Sequence, residues 1–328
     1  MGQRNLPKMG FATPWFSLSQ NQTATATCND MRALGVKVIR VDCWWDWVQP
    51  NSSQSYNFDI YGPTYKIFLD AGIDVIPIFH GAAQWMIDAG WMPNVTIRQA
   101  YGNYVAAGVN YFKGMGINTY EMWNEPNLSG SWAGYEPSPT NYGQLINGAY
   151  AQAKAADPKC HMIGGGLSPA LGTNLGDGYY SAKDFTTVAF QNGAAGSCDS
   201  WSVHPYAFPY DPNQSDEWLG WNVGKSVIAQ LKVLGYGNLP VLYTEYGAAT
   251  FSNDPNEQGN INTEQDQADI EMDHAFQQFA GQLPSVAQLH WYTYTDYTGY
   301  YSREGYFGLV KVPYSQKPAY ARWRVWNR

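Results

Sequence analysis

Short apolar runs alternate with longer amphipathic segments along the whole chain. Eight of these runs have the length and the Val, Ile and Tyr content of strands that are buried on both faces. They cover residues 7–14, 36–44, 74–80, 119–124, 161–167, 200–206, 240–245 and 287–295. Strands of this kind, separated by helix-length segments, are typical of a parallel α/β fold.

The segments between these strands carry the signals of helices. Helices are predicted over residues 23–34, 63–71, 96–113, 141–156, 222–234 and 263–280. The last should begin at Thr263, because a Thr N-cap followed by acidic residues satisfies and complements a helix N-terminus. The fourth should stop before Asp157-Pro158, and glycine should cap the C-termini of the other five, at Gly35, Gly72, Gly114, Gly235 and Gly281.

An eightfold strand and helix alternation in 328 residues predicts a (β/α)₈ TIM barrel. A doubly wound α/β sheet is the alternative, but it gives no comparable account of the eighth strand. The chain contains no linker, fixed-period repeat or low-complexity tract, so residues 1–328 are expected to form one domain.

The longest irregular stretches follow predicted strands and would gather at one end of a barrel, where barrel enzymes build their sites. They are rich in tryptophan: Trp44, Trp45, Trp47, Trp85, Trp91, Trp132, Trp218 and Trp221. Indole rings suit the apolar faces of sugar rings, but barrels also use them as core residues. Both interpretations stay open for each of these side chains.

Charge and hydropathy exclude several functions. The net charge of −8 and a pI near 5.0 provide no basic field for nucleic acid. No apolar stretch is long enough to predict a membrane span. The N-terminal residues lack the features of a signal peptide, yet we expect a monomer that acts outside the cell or on a virion.

Neither a metal site nor a cofactor is predicted. The chain has no Cys-x-x-Cys or His-Glu-x-x-His spacing, and Gly164-Gly165-Gly166 lacks the residues of a phosphate loop, so it is interpreted as a tight passage from strand to loop. Cys160 and Cys198 precede two predicted strands that could be neighbours. They are therefore either a disulfide pair or two buried free thiols.

Two glutamates stand out as candidate catalytic groups. Glu125 follows Trp123-Asn124 and precedes Pro126, and Glu245 ends the strand-like run Leu242-Tyr243-Thr244. A carboxyl at the C-terminal end of a barrel strand faces the cleft, and a pair of such carboxyls suits acid/base and nucleophilic chemistry on a sugar acetal.

These motifs resemble the retaining glycoside hydrolases of the barrel clan A, particularly compact members of families 5 and 39, over the whole chain. The matching positions are Arg40, His80, Asn124, Glu125, His204, Tyr206, Glu245 and Trp291. The resemblance implies that Glu125 is the acid/base and Glu245 the nucleophile, with Arg40 and Tyr206 as partners of Glu245.

The resemblance also implies roles for the remaining matches. Asn124 would bind the sugar 2-hydroxyl, and Trp291 would form the apolar floor under the reacting ring. His80 and His204 would bind the sugar or orient Glu125. The substrate would be a β-linked polysaccharide or oligosaccharide, and the long aromatic loops suggest several sugar subsites and so an endo-acting enzyme.

Three alternatives remain at this stage. Glu121 could take Arg40 as a structural ion pair and leave Glu245 without its partner. A transglycosylase would share every one of the catalytic residues. A barrel that only binds polysaccharide, such as an adhesin, would not need both glutamates.

Overall fold

A computed structural model of the chain describes residues 9–15, 18, 24–51, 55–90, 95–259, 261–297 and 301–326. Within these residues, eight parallel strands close into a barrel in chain order, with the last strand paired to the first. They are β1 Met9–Ala12, β2 Val38–Trp44, β3 Asp74–His80, β4 Thr119–Met122, β5 His161–Leu167, β6 Ser200–Val203, β7 Val241–Tyr246 and β8 Val286–Tyr292. The predicted (β/α)₈ barrel is confirmed.

Helices surround the barrel. Those described are α1 Ala24–Ala33, α2 Trp45–Val48, α3 Gly62–Asp70, α4 Gln84–Asp88, α5 Val95–Lys113, α6 Pro139–Ala156, α7 Ala182–Ala189, α8 Gly220–Val233, α9 Glu264–Asp266, α10 Asp273–Gln282 and α11 Pro318–Trp326. A π-helical segment, Gln267–Met272, joins α9 to α10, and a short antiparallel ribbon, β9 Val310–Lys311 with β10 Ser315–Gln316, precedes α11. In this described part, no helix has the length and apolar character needed to span a membrane.

Most predicted helix ends are confirmed by their caps. The Thr263 hydroxyl accepts a hydrogen bond of 3.0 Å from the Asp266 N–H at the start of α9. Gly35 follows α1 with φ of 78°, a left-handed conformation that glycine adopts without steric cost. The expected starts at Pro7 and Thr23, and the side chain of Trp91, lie outside the described residues.

Three details of the helices differ from the sequence-based expectation. After α5 the left-handed residue is Gly116, with φ of 92°, rather than Gly114. Gly281 lies inside α10, which continues to Gln282. Helix α7 was not predicted, although the Ser181 hydroxyl caps its N-terminus by accepting a hydrogen bond of 3.3 Å from the Asp184 N–H. That Ser, followed by an acid in the first turn, was the available signal.

The inside of the barrel changes from apolar to polar towards the C-terminal ends of the strands. Val38, Ile76, Ile163 and Leu242 form a small buried cluster within the barrel, separate from the main core. Side chains two positions apart on a strand share a face. The next inward residue after Val38 is therefore Arg40, so a charged layer lies directly above an apolar plug.

The four cysteines are all free and buried, so the disulfide between Cys160 and Cys198 is not formed. Their strands are neighbours as required, but Ile163 of β5 pairs with Ser200 of β6. Extended towards the N-termini of both strands, this register places Cys160 opposite the residue before Cys198. Because successive side chains point to opposite faces, the two thiols do not meet.

A buried acidic group lies behind β7. The Tyr246 hydroxyl donates a hydrogen bond to Glu271, whose side chain is fully buried on the π-helical segment. Burial raises the pKa of Glu271 to about 8 from its ordinary value of 4.5; the Tyr246 bond opposes that shift and Asp211 adds to it. The folded chain therefore holds a proton that the unfolded chain releases near pH 4.5.

This proton linkage predicts how stability depends on pH. Between about pH 5 and 8 only the folded state keeps the Glu271 proton, so the free energy of unfolding should fall as pH rises through this window. Glu271→Gln removes the ionisation, and its melting temperature should decline less between pH 5 and 8. Thermal melts at several pH values would measure this. The exposed Glu136→Gln is the control, and parallel curves for wild type and Glu271→Gln would contradict the prediction.

Candidate active site

A cleft of about 790 Å³ opens at the C-terminal ends of the barrel strands. Five of the eight predicted site residues line it: His80, Asn124, Glu125, Tyr206 and Glu245. Arg40 and His204 lie just beneath its floor and bond to residues that line it, whereas Trp291 lies elsewhere. The cleft wall also includes Asp42, Trp44, Asp46, Tyr292, Glu304 and Phe307.

Glu125 is held by an unusual backbone. Trp123 and Glu125 have φ of 76° and 44°, values that non-glycine residues adopt at a cost of roughly 1–3 kcal/mol. Two contacts compensate: the Trp123 ring stacks on Trp132 at 4.6 Å, and the Glu125 N–H donates to the Gly166 carbonyl at 2.9 Å. The carboxyl of Glu125 is thereby directed into the cleft.

Gly166 belongs to the triple-glycine motif, which lies inside β5 and not in a passage to a loop. The pairing of β5 with β6 shifts register between Gly164 and Leu167, so the motif forms an irregularity in the strand. Gly165 has φ of 95°, and a Cβ there would lie 2.5 Å from the Ser202 carbonyl oxygen. Close backbone approach explains the glycine at position 165.

Arg40 bonds three acceptors at once. Its Nε donates to Glu121, one terminal nitrogen donates to Glu245, and the other donates to Asn124 Oδ1 at 2.8 Å. The sequence left open a structural ion pair between Arg40 and Glu121 that would leave Glu245 without its partner. In the structure the fork-shaped guanidinium serves both carboxylates.

Glu245 is surrounded by donors. Besides Arg40, the Tyr206 hydroxyl donates to Glu245 Oε2 at 2.8 Å. Burial by itself would raise the pKa of this carboxyl, but electrostatic interactions with His204 and Arg40 and the hydrogen bonds from Tyr206 and Arg40 outweigh it, and the pKa is lowered. Glu245 is therefore held as a carboxylate.

His204 lies between the two glutamates. Its Nδ1 is 3.1 Å from Glu125 Oε1 and 3.7 Å from Glu245 Oε2. Because both distances are measured from the same nitrogen, Glu125 Oε1 and Glu245 Oε2 lie at most about 7 Å apart. The second ring nitrogen contacts the hydroxyl of Thr244 at 3.1 Å.

His80 lines the cleft without contacting either glutamate. Its Nε2 lies 3.0 Å from Asp42 Oδ1, and its ring packs against Trp44 with centroids 4.0 Å apart. Burial would raise the pKa of Asp42, but hydrogen bonding and charge interaction with His80, together with the Trp15 N–H, lower it. His80 is thus positioned to contact a ligand and not to orient Glu125.

Trp291 does not form the floor of the cleft. Its side chain is fully buried in the core outside the barrel, edge-on to Tyr246 with centroids 5.7 Å apart. The next residue, Tyr292, faces the cleft and packs against Phe307 at 5.4 Å. Side chains alternate along a strand, so an error of one position exchanges the two faces.

The tryptophans after the strands divide between the two interpretations. Trp45, Trp132 and Trp221 are fully buried and structural. Trp44 lines the cleft, while Trp47 and Trp218 are exposed.

Sequence reasoning missed several polar side chains beneath the cleft. Ser202 and Thr244 both donate to Glu121 Oε1, at 2.7 and 3.0 Å. Ser202 lies two positions before His204 and faces the same way. Ser200, Ser202 and His204 alternate with the apolar residues of this run, and that alternation was the signal that could have identified Ser202.

The chain matches the family model of cellulase, glycosyl hydrolase family 5, over residues 3–283. No curated protein sequence matches it.

Several solved glycosidase structures share the fold. The family 39 glycoside hydrolase from the gut symbiont Bacteroides cellulosilyticus WH2 has a TM-score of 0.73 at 19% identity, covering 98% of this chain and 64% of that one. A monomeric β-xylosidase from Caulobacter crescentus CB15 has a TM-score of 0.70 at 16% identity, with 99% and 68% coverage. The endo-β-1,4-mannanase from Thermotoga petrophila has a TM-score of 0.66 at 15% identity, covering 99% of this chain and 77% of that one. This chain thus spans less than two thirds of the family 39 enzyme.

The donors around Glu245 predict a titration shift. Tyr206→Phe removes one hydrogen bond to the ionised carboxylate, so the pKa of Glu245 should rise. A ¹³C NMR titration of protein labelled at the glutamate carboxyls would measure it. Tyr292→Phe is the matched control, because Tyr292 lies in the same cleft but bonds to Tyr297. Equal values of the Glu245 pKa in both variants would refute the assignment.

Proposed function

The chain belongs to glycosyl hydrolase family 5, and on that basis we propose that it hydrolyses a β-linked polysaccharide or oligosaccharide by double displacement, with retention at the anomeric carbon. Glu245 is the nucleophile and Glu125 the general acid and base. The observation that carries this proposal is the pair of carboxyls at the ends of β4 and β7, which face one cleft and lie on either side of His204.

The surroundings of Glu245 support its role as the nucleophile. Its lowered pKa keeps it ionised, and it attacks the anomeric carbon from below. Arg40 and Tyr206 hold the attacking carboxylate in place while the glycosyl ester forms. Water then releases the sugar from Glu245.

Glu125 supplies and recovers the proton. It protonates the leaving oxygen in the first step and removes a proton from the attacking water in the second. Its side chain is 23% exposed, against 13% for Glu245, so it is the more open of the two towards the cleft. That access suits a group that exchanges its proton with substrate and water.

The position of His204 limits how far apart the facing carboxyl oxygens can lie. Retaining enzymes have carboxyls about 5–5.5 Å apart, and inverting enzymes need about 6.5–9.5 Å to admit a water. The limit of about 7 Å between the two oxygens that approach His204 is compatible with the retaining distance, and so with a direct attack by Glu245.

Asn124 is oriented for sugar recognition. Its Oδ1 already accepts from Arg40, so its amide NH₂ is the group left to donate towards the cleft. A donor there would bind the sugar 2-hydroxyl, a contact that strengthens in the transition state. Tyr292, Phe307 and Trp44 provide apolar surface for the sugar rings.

The charges of the cleft favour uncharged sugars. Five carboxyl groups line it, from Asp42, Asp46, Glu125, Glu245 and Glu304, and Arg303 is the basic side chain among its lining residues. A uronic acid would be repelled by this arrangement. A cleft of about 790 Å³ holds more than one sugar ring, which supports endo action on a neutral β-glycan such as a xylan or mannan.

The stereochemistry of the first product tests the mechanism. Proton NMR of a fresh reaction on a β-linked oligosaccharide should show the β-anomer before mutarotation. Initial release of the α-anomer would refute double displacement. Products longer than the substrate would instead indicate transfer to a sugar acceptor.

Substitution of each glutamate should give distinct kinetics. Glu245→Ala should abolish turnover of all substrates. Glu125→Ala should lose about 10²–10⁴-fold in kcat/KM on natural glycans, yet retain much of its kcat/KM on a dinitrophenyl glycoside, whose leaving group needs no proton in the first step. Initial rates on both substrate types would measure this. The exposed Glu217→Gln should behave as wild type, and full activity in either active-site variant would refute the roles.

A further inference from the structure

Four side chains form a continuous row of hydrogen bonds beneath the cleft. Thr244 Oγ1 lies 3.0 Å from Glu121 Oε1, His204 Nε2 lies 3.1 Å from Thr244 Oγ1, and His204 Nδ1 lies 3.1 Å from Glu125 Oε1. Glu121, Thr244 and His204 are fully buried. The proposed function uses only the last member of this row, Glu125.

The direction of the first bond is fixed by charge. Glu121 is ion-paired with Arg40, and the same oxygen that faces Thr244 also accepts from Ser202 at 2.7 Å. A carboxylate can only accept hydrogen bonds, so the single hydroxyl hydrogen of Thr244 must point to Glu121. The Thr244 oxygen therefore presents a lone pair to His204.

That lone pair selects one form of the imidazole. The Nε2 of His204 must carry a hydrogen to bond to Thr244, and a neutral imidazole carries only one, which leaves Nδ1 as an acceptor. The contact between Nδ1 and Glu125 is then a hydrogen bond only if Glu125 supplies the proton.

We propose that Glu121 and Thr244 are positioning residues that fix the Nε2–H form of His204, so that Glu125 carries the proton it later donates. This inference rests on the proposed function, because Glu125 is the general acid there. The competing form, with hydrogen on Nδ1, would turn the Thr244 hydroxyl towards Nε2. It would deprive Glu121 of a donor and favour an ionised Glu125, which cannot act as an acid.

Other titratable or charged groups also face the His204 and Glu125 pair: Arg40, Tyr206, Glu245, Glu304 and His290. Burial, with electrostatic interactions with Arg40 and His204, lowers the pKa of His290 to about 3, so it stays neutral. Glu304 lines the cleft, where desolvation raises its pKa to about 7; Arg303 opposes the shift, and the neighbouring Glu125 and Glu245 add to it. A simple pH profile would mix these ionisations, so the test compares matched variants.

The direct test is the state of the imidazole. With ¹⁵N-labelled histidine, two-bond NMR correlations distinguish a protonated Nε2 from a protonated Nδ1. His204 should show a protonated Nε2 and an unprotonated Nδ1 in wild type and in Thr244→Ser, which keeps the hydroxyl. Thr244→Val, of the same shape but without the hydroxyl, should shift His204 towards the Nδ1–H form.

This measurement requires no turnover, so it stands even if the proposed activity fails. A wild-type His204 with hydrogen on Nδ1 would overturn the inference, whether or not the valine variant folds. An unchanged imidazole in a folded Thr244→Val would overturn it as well.

Kinetics give a second readout. Loss of the acid proton should lower kcat/KM for phenyl glycosides about tenfold more than for dinitrophenyl glycosides in Thr244→Val, whereas Thr244→Ser should keep the wild-type ratio. A merely structural role would reduce both substrates equally, and that result would overturn the inference. Thr119→Val, a buried change at the opposite end of the barrel, should leave the ratio unchanged. A wild type inactive on every aryl glycoside would count against the proposed function, while the NMR result would still decide the imidazole form.

Discussion

Placing a guanidinium inside a parallel barrel costs free energy unless each of its edges finds an acceptor. Arg40 is only 2% exposed, and its three donor edges meet Glu121, Glu245 and Asn124. Two carboxylates share one cation, so the cluster keeps an excess negative charge. Neutral hydroxyl donors bond to the carboxylate oxygens that remain, and the position of the Glu245 carboxylate is therefore determined by the whole layer.

The layer also makes the two proposed catalytic carboxyls different. Glu245 interacts with His204 and receives a charged donor and a phenolic hydroxyl, which together lower its pKa. Glu125 lies one step further from Arg40, and the described side-chain contact of its carboxyl is the imidazole of His204. Similar groups at the ends of two strands thus acquire different environments beside one asymmetrically placed cation, as the proposed nucleophile and acid require.

The strand ends were predictable because the apolar runs are sharply bounded, and β3 and β5 begin and end where the sequence indicated. Which residues of a strand point into the barrel was less predictable. Strands covered on both sides are largely apolar, so their inward-facing positions show only where polar residues recur at every second position. The misplacement of Trp291 is an example. The buried polar side chains Gln288 and His290, hydrogen-bonded to each other, mark the inward face of β8 and place Tyr292 on it.

The least predictable feature of the site is its dependence on glycines, which leave room for close contacts because they carry no side chain. Glu125 bonds through its backbone to Gly166, and the Gly166 N–H in turn donates to Ser202 at 2.6 Å, the residue whose hydroxyl also serves Glu121. A side chain at Gly165 would collide with the backbone of β6 and separate these partners. A glycine run in a strand therefore joins Glu125 to the charged layer. The composition of the run indicates close backbone approach, but which backbones meet there follows only from the closed barrel.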